Sequence, residues 1–277
     1  MSCRPISYGL AALLVGACGV ETSSTQQDHP FRYSQMHQWK LPKALNEVSG
    51  LALTEDQRLF AIADEAAYVY ELDYNEGRLI KRFAVSDPVL RGDFEGIAAS
   101  TGALHIITSG GTLISFQEGD DEDTVEFTRQ DTGAGVFCEV EGLTFDPRDE
   151  SLLIACKQTL TRALSDRIVV FRWWLLEERL DTLFNMDAEE ITDRLQTSNF
   201  NPSAIVLDGS TVVLIAAKQA ALAKLTQDGE VLDAYVLPTA DRHRQAEGVA
   251  LTRQRSLLLA DEGGNRQARL SVYEQFN

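Results

Sequence analysis

One short pattern returns five times along the chain and limits the folds open to it. In "NEVSGLAL", "DFEGIAAS", "CEVEGLTFD", "NPSAIVLD" and "QAEGVALT", a Ser or Glu precedes a Gly or Ala, and an apolar, β-prone run follows. Taking the small residue as marker gives Gly50, Gly96, Gly142, Ala204 and Gly248, spaced 46, 46, 62 and 44 residues apart. A second apolar run keeps step, reaching its small or charged end 13 or 14 residues after each marker: "LFAIADE", "LHIITSG", "LLIACKQ", "VLIAAKQ", "LLLADEG". Two features in step five times define an internal repeat, and a period of roughly 45 residues is that of four-stranded propeller blades.

Each unit reads as strands separated by polar turns such as "TEDQ", "PRDE" and "TRQR". A third run follows in every unit ("AYVYELD", "GTLISFQ", "RIVVFRW", "ALAKLTQ", "RLSVYEQ"), and a fourth in three of them ("RLIKRFAV", "DTVEFTRQ", "EVLDAYVL"). The last unit lacks its fourth strand, while "MHQWKLP" (36–42) precedes the first unit with nothing local to pair with. The N-terminal strand therefore closes the ring. The expectation is an all-β, five-bladed β-propeller of four-stranded antiparallel blades over residues 31–277, with six blades as the alternative count. The long 62-residue step holds "NMDAEEITDRLQTSNF", a helical insertion at about 184–200 that starts near Asp187.

The net charge of -17 argues against nucleic acid, whose phosphates call for clustered Lys and Arg. It argues equally against a basic membrane-binding patch and suits cations. Residues 1–17 read as a signal peptide, because the apolar run from about Ile6 to Val15 is too short to span a bilayer. Its end, Leu14-Val15-Gly16-Ala17-Cys18, has the form of a bacterial lipobox, so Cys18 is expected to be lipidated and 18–30 to form a flexible tether. The expected location is the bacterial cell envelope, on the cell or outer membrane, with the propeller in the periplasm or outside. An exported chain permits a disulfide between Cys138 and Cys156, with two buried thiols as the alternative.

In a propeller the first strand of each blade lines the axis, so Ser49, Glu95, Glu141, Ser203 and Glu247 should surround one mouth. The second strand returns to that end and brings Asp64, Glu65, Lys157, Lys218, Asp261 and Glu262. The entering loops add Arg91, Arg242 and His243, candidates for holding an anionic ligand. Crowded carboxylates repel one another unless ion pairs or a bound cation offset them. With oxygen donors and no His or Cys cluster, calcium suits the set better than zinc. The candidate metal ligands are Glu95, Glu141, Glu247, Asp64, Glu65, Asp261 and Glu262. The candidate ligand-binding residues are Arg91, Lys157, Lys218, Arg242 and His243.

The stretches "NEVSGLAL", "DFEGIA", "CEVEGLTFDPRDESLLIACK", "NPSAIV" and above all "RQAEGVALT…LLLADEGGNRQARLSVY" resemble the SdiA-regulated proteins, over essentially all of 36–277. The resemblance implies a calcium-capable propeller anchored at the cell envelope, with no established reaction. More remotely, "EGLTFDPRDESLLIACK" is similar to the Glu-Gly blade motif of β-propeller phytases, which bind calcium in their mouth. Those enzymes carry acidic residues after the second strand of a middle blade, where this chain has Cys156-Lys157-Gln158. No G-x-S-x-G elbow, H-E-x-x-H or Walker loop is present. The acidic run Glu118 to Glu126 reads as a solvated outer hairpin, and Trp173-Trp174 as core plus edge. Two functions follow: a binding protein that holds a small ligand or envelope partner at the mouth, or a calcium-dependent phosphoesterase or lactonase using the same carboxylates.

Overall fold

The computed structural model describes residues 36–238 and 243–276; the expected signal peptide, Cys18, the tether and Arg242 lie outside the described residues. The chain opens with β1 (Met36–Lys40), the edge strand of the last blade. Blade one is β2 (Val48–Leu53), β3 (Leu59–Ala63), β4 (Tyr68–Asp73) and β5 (Arg78–Val85). Blade two holds β6 (Phe94–Ser100), β7 (Ala103–Thr108) and β8 (Thr112–Phe116); after β9 (Thr124–Val125) it is completed by β10 (Phe127–Asp131). Blade three is β11 (Cys138–Asp146), β12 (Ser151–Thr159), β13 (Arg167–Trp174) and β14 (Arg179–Asp187), followed by the helix α1 (Glu189–Leu195). Blade four is β15 (Ala204–Asp208), β16 (Thr211–Ala216), β17 (Ala221–Leu225) and β18 (Val231–Val236). Blade five is β19 (Ala246–Leu251), β20 (Leu257–Asp261) and β21 (Arg269–Tyr273), closed by β1 in antiparallel register with β21. The inner strands β2, β6, β11, β15 and β19 are neighbours in a ring that returns to β2. This is the five-bladed propeller expected from the repeat.

Its apolar interior is five cores, one between each pair of blades. Phe60, Val69 and Phe83 of blade one meet Phe94, Ile106 and Ile114 of blade two in one of them. The insertion helix seals another: Ile191 and Leu195, with Phe200, pack against blades three and four. The disulfide Cys138–Cys156 joins β11 to β12. Trp173 is buried, while Trp174 stacks beside Arg172 and Arg179 and donates its indole N–H to Asp181, the core-plus-edge arrangement expected.

Three local expectations are corrected. Phe184 to Asp187 belong to β14, so the insertion begins at Ala188. The stretch expected as the fourth strand of blade two is split, and β9 instead pairs parallel with β5 of blade one. The acidic run is solvent-exposed, as expected, but it is not a free hairpin. Arg58 grips Glu118 through two nitrogens at 2.6 and 2.7 Å, Lys81 reaches the same carboxylate at 2.5 Å, and Arg82 holds Glu122 at 2.9 and 3.0 Å. These basic side chains sit on blade one, so charge pairing straps the acidic loop over it.

Candidate functional site

The recurring Ser/Glu-Gly step has a geometric cause. In β2, β6, β11 and β19 the strand register slips by one residue there, making Ser49, Glu95, Glu141 and Glu247 the extra residues of β-bulges. A bulge bends the strand and re-aims its side chain. The following Gly is needed because the inner strands nearly touch: a Cβ on Gly96 would lie 2.7 Å from the Leu143 amide nitrogen, and one on Gly50 3.0 Å from that of Ile97. Ser49, Glu95, Glu141 and Glu247, with Leu51, Ile97, Leu143, Ile205 and Val249 beneath them, close on the axis around a space of about 10 Å³, room for one water at most. The mouth is therefore a blind, acidic well with an apolar floor.

Glu95, Glu141 and Glu247 do share this mouth. Burial, then the neighbouring Glu141, Asp93 and Glu247, push the Glu95 carboxyl up to about 9, against a smaller opposing effect of Lys157. Glu141, 2% exposed, is raised by burial to about 7 even though the Lys157 ammonium is bonded to it. Burial works against the charge of Lys157, yet Glu141, Glu139 and Glu247 more than offset it and raise its pKa. Glu262 is pushed to about 8 by burial and by Glu247, with which it shares a hydrogen bond. Asp64 is raised by burial and by the Glu47 carboxylate. Among the described residues, no salt bridge reaches Glu95, Glu247, Glu262 or Asp64. Ser49 Oγ and Asp64 Oδ1 are buried there without a hydrogen-bond partner.

Other expected site residues lie apart from this cluster. Glu65 and Arg91 form a loose, exposed pair at 3.8 Å. Lys218 is exposed and lines a separate polar cleft beside α1, with Lys157, Asn199 and Asn201 on its walls. His243 is enclosed: Nδ1 bonds Asp261 Oδ2 at 2.7 Å and Nε2 bonds the Tyr273 hydroxyl at 2.6 Å. That bond commits one oxygen of Asp261 to His243, while its Oδ1, like Asp64 Oδ1, is buried without a hydrogen-bond partner. Ser203 ties blades together, donating to the Ala246 carbonyl at 2.8 Å and accepting from the Ala217 amide. Sequence reasoning missed Gln245, which donates to Glu247 at 3.0 Å, and the amide network of Asn199, Asn201 and Gln219. The Gly inside each strand was the available sign of the bulges; nothing in the sequence marked the amides. Among the described residues, no three His, Cys, Asp or Glu side chains already converge as a metal cluster.

Fold and site define a class: a five-bladed propeller with an acidic, blind axial mouth. The chain belongs to the SdiA-regulated family, whose sequence model matches residues 25–265. Among solved structures it is similar to the glutaminyl cyclase of Myxococcus xanthus, at 10% identity and TM-score 0.55, over 87% of this chain and 97% of that one. A PQQ-bound aldose sugar dehydrogenase of Streptomyces coelicolor aligns at 13% identity and TM-score 0.54, over 86% and 98%. A luciferin-regenerating enzyme aligns at 9% and 0.54, over 86% and 95%. At such identities the likeness is one of fold. No curated protein matches the chain by sequence.

Proposed function

We propose that this propeller is a lipid-anchored protein of the bacterial cell envelope that binds a divalent cation, calcium, at its axial mouth, and there holds a small ligand or an envelope partner. The observation that carries the cation is the imbalance of charge: Glu95, Glu247, Glu262 and Asp64 crowd one half-buried well, and Lys157 is committed to Glu141. A hard cation that accepts six to eight oxygens would relieve that repulsion. The donor set fits calcium in kind, being carboxylates with the unbonded hydroxyl of Ser49. Glu95, Glu141, Glu247, Glu262 and Asp64 would hold it, and binding would have to gather them and drive off their protons. Calcium supplies charge neutralisation and a bridge to an anionic group.

The hydrolase reading uses the same carboxylates and would need a base within reach of the metal. His243, the titratable base nearest the mouth in the sequence, is bonded at both nitrogens. The anchor rests on the Leu14–Cys18 lipobox; among the described residues no helix is long and apolar enough to cross a membrane. Melting the protein at pH 8 with and without 1 mM calcium tests the cation: a rise in Tm of several degrees, absent with Glu95→Gln, supports it. No rise would remove calcium from the account. Turnover of phosphoesters or lactones that needs Glu141 would replace the binding reading with the enzymatic one. Loss of labelled palmitate on Cys18→Ser tests the anchor.

A further inference from the structure

The axis has a second end. Beyond the floor formed by Leu51, Ile97 and their counterparts, the inner strands flare around a cavity of about 470 Å³, within the size range of small-molecule sites. Each blade contributes a half-buried apolar side chain: Leu53, Ala99, Phe145, Leu207 and Leu251. Each packs in part against the core between two blades and turns its remaining surface to the cavity, a mainly apolar wall of the kind that lines small-molecule sites.

On a protein of net charge -17, the cavity lining holds two arginines, Arg148 and Arg253, against one carboxylate, Glu55. Arg148 is held in place by the buried Asp146, at 2.9 Å from Nε and 2.7 Å from Nη2. Among the described residues the Arg253 guanidinium has one loose pair, with Glu55 at 3.8 Å, both side chains largely exposed, so it can take a stronger anion. Leu251 pairs with Leu257, Leu257 with Tyr273, and Tyr273 with Met36, so Met36 lies at this end of the propeller and not at the acidic mouth.

We propose that this cavity binds a single-chain anionic amphiphile, its alkyl chain among the five apolar side chains and its carboxylate or phosphate head at Arg253 and Arg148. The acidic mouth would repel such a head, and the pinched floor keeps the two sites separate. The site does not depend on the calcium reading.

The test uses the full chain carrying Cys18→Ser, purified without detergent and titrated calorimetrically with decanoate below its micelle concentration. One decanoate should bind per chain, acetate should not bind, and decanol should bind about tenfold more weakly. Arg253→Glu, an exposed change that leaves the core intact, should weaken decanoate tenfold or more. Ala99→Phe should abolish binding while its melting curve reports folding, and Glu95→Gln should leave binding unchanged. Phosphatidylglycerol vesicles form a second arm. Cosedimentation that decanoate displaces assigns the ligand to the membrane; decanoate binding without cosedimentation assigns it to the free amphiphile. No decanoate binding, or binding that ignores both Arg253→Glu and Ala99→Phe, overturns the proposal.

Discussion

Replacing Glu95 by Gln should stabilise the cation-free protein, and by an amount that grows with pH. The folded carboxyl titrates at about 9 against an ordinary 4.5, so at pH 7 the native state holds a proton that the unfolded chain has lost. The native state binds more protons across that window, and stability must therefore fall as pH rises through it. From 4.5 to 7 the interval is about 2.5 pH units at about 1.4 kcal/mol each, or about 3.5 kcal/mol, trimmed toward about 2 by water reaching the half-buried group. Gln keeps the shape and never ionises, so this penalty disappears. For a chain of this size the gain corresponds to a Tm rise of roughly 5–10 °C at pH 7. At pH 4 wild type and variant should coincide, and by pH 9 the gap should exceed its value at pH 7. Calorimetric melts at those three pH values decide it. A variant less stable than wild type at pH 7, or a gap that ignores pH, would show that Glu95 is an ionised structural tie and that the crowding argument is wrong.

His105 gives the opposite slope on the acid side. It is buried between the hydroxyls of Ser100 and Ser115, each at 2.8 Å, and burial holds its pKa near 4. The unfolded chain takes up the proton first, so about 3 kcal/mol of stability should be lost as pH falls from about 6.5 to 4; urea titrations of His105→Gln should lack that limb. The double replacement Cys138→Ser with Cys156→Ser removes a bridge over 18 residues and should cost about 2–4 kcal/mol in urea unfolding. Gly96→Ala should cost about 2 kcal/mol or more, since its Cβ would strike the Leu143 backbone, whereas Gly110→Ala, with nothing nearer than 3.9 Å, should change little.

The ring of blades could be read from residues because one steric demand recurs in it. Gly50, Gly96, Gly142 and Gly248 stand where inner strands approach within a Cβ's reach, so four blades bear the same mark. Ala204 keeps the position with the smallest side chain that still has a Cβ. The gathering of Glu95, Glu141 and Glu247 follows from that same repeat. Side-chain direction did not follow. Asp261 and Glu262 are adjacent at the end of a strand, where successive side chains point to opposite sides, so one meets the buried His243 and the other Glu247; the residue types alone do not say which. The anchoring of the acidic loop is hidden in the sequence for a related reason: its partners Arg58, Lys81 and Arg82 lie 37 to 60 residues away and come from another blade. Charge runs in a sequence show their own sign and not the sign of what they will meet.

A crystal structure grown at pH 8 with calcium puts the acidic well to its sharpest test. The expected result is a cation on the axis above Leu51 and Ile97, with Glu95, Glu247 and Glu262 among six to eight oxygens at about 2.3–2.6 Å. A well without a cation, with the Glu247–Glu262 hydrogen bond intact and Lys157 alone facing the carboxylates, would contradict it.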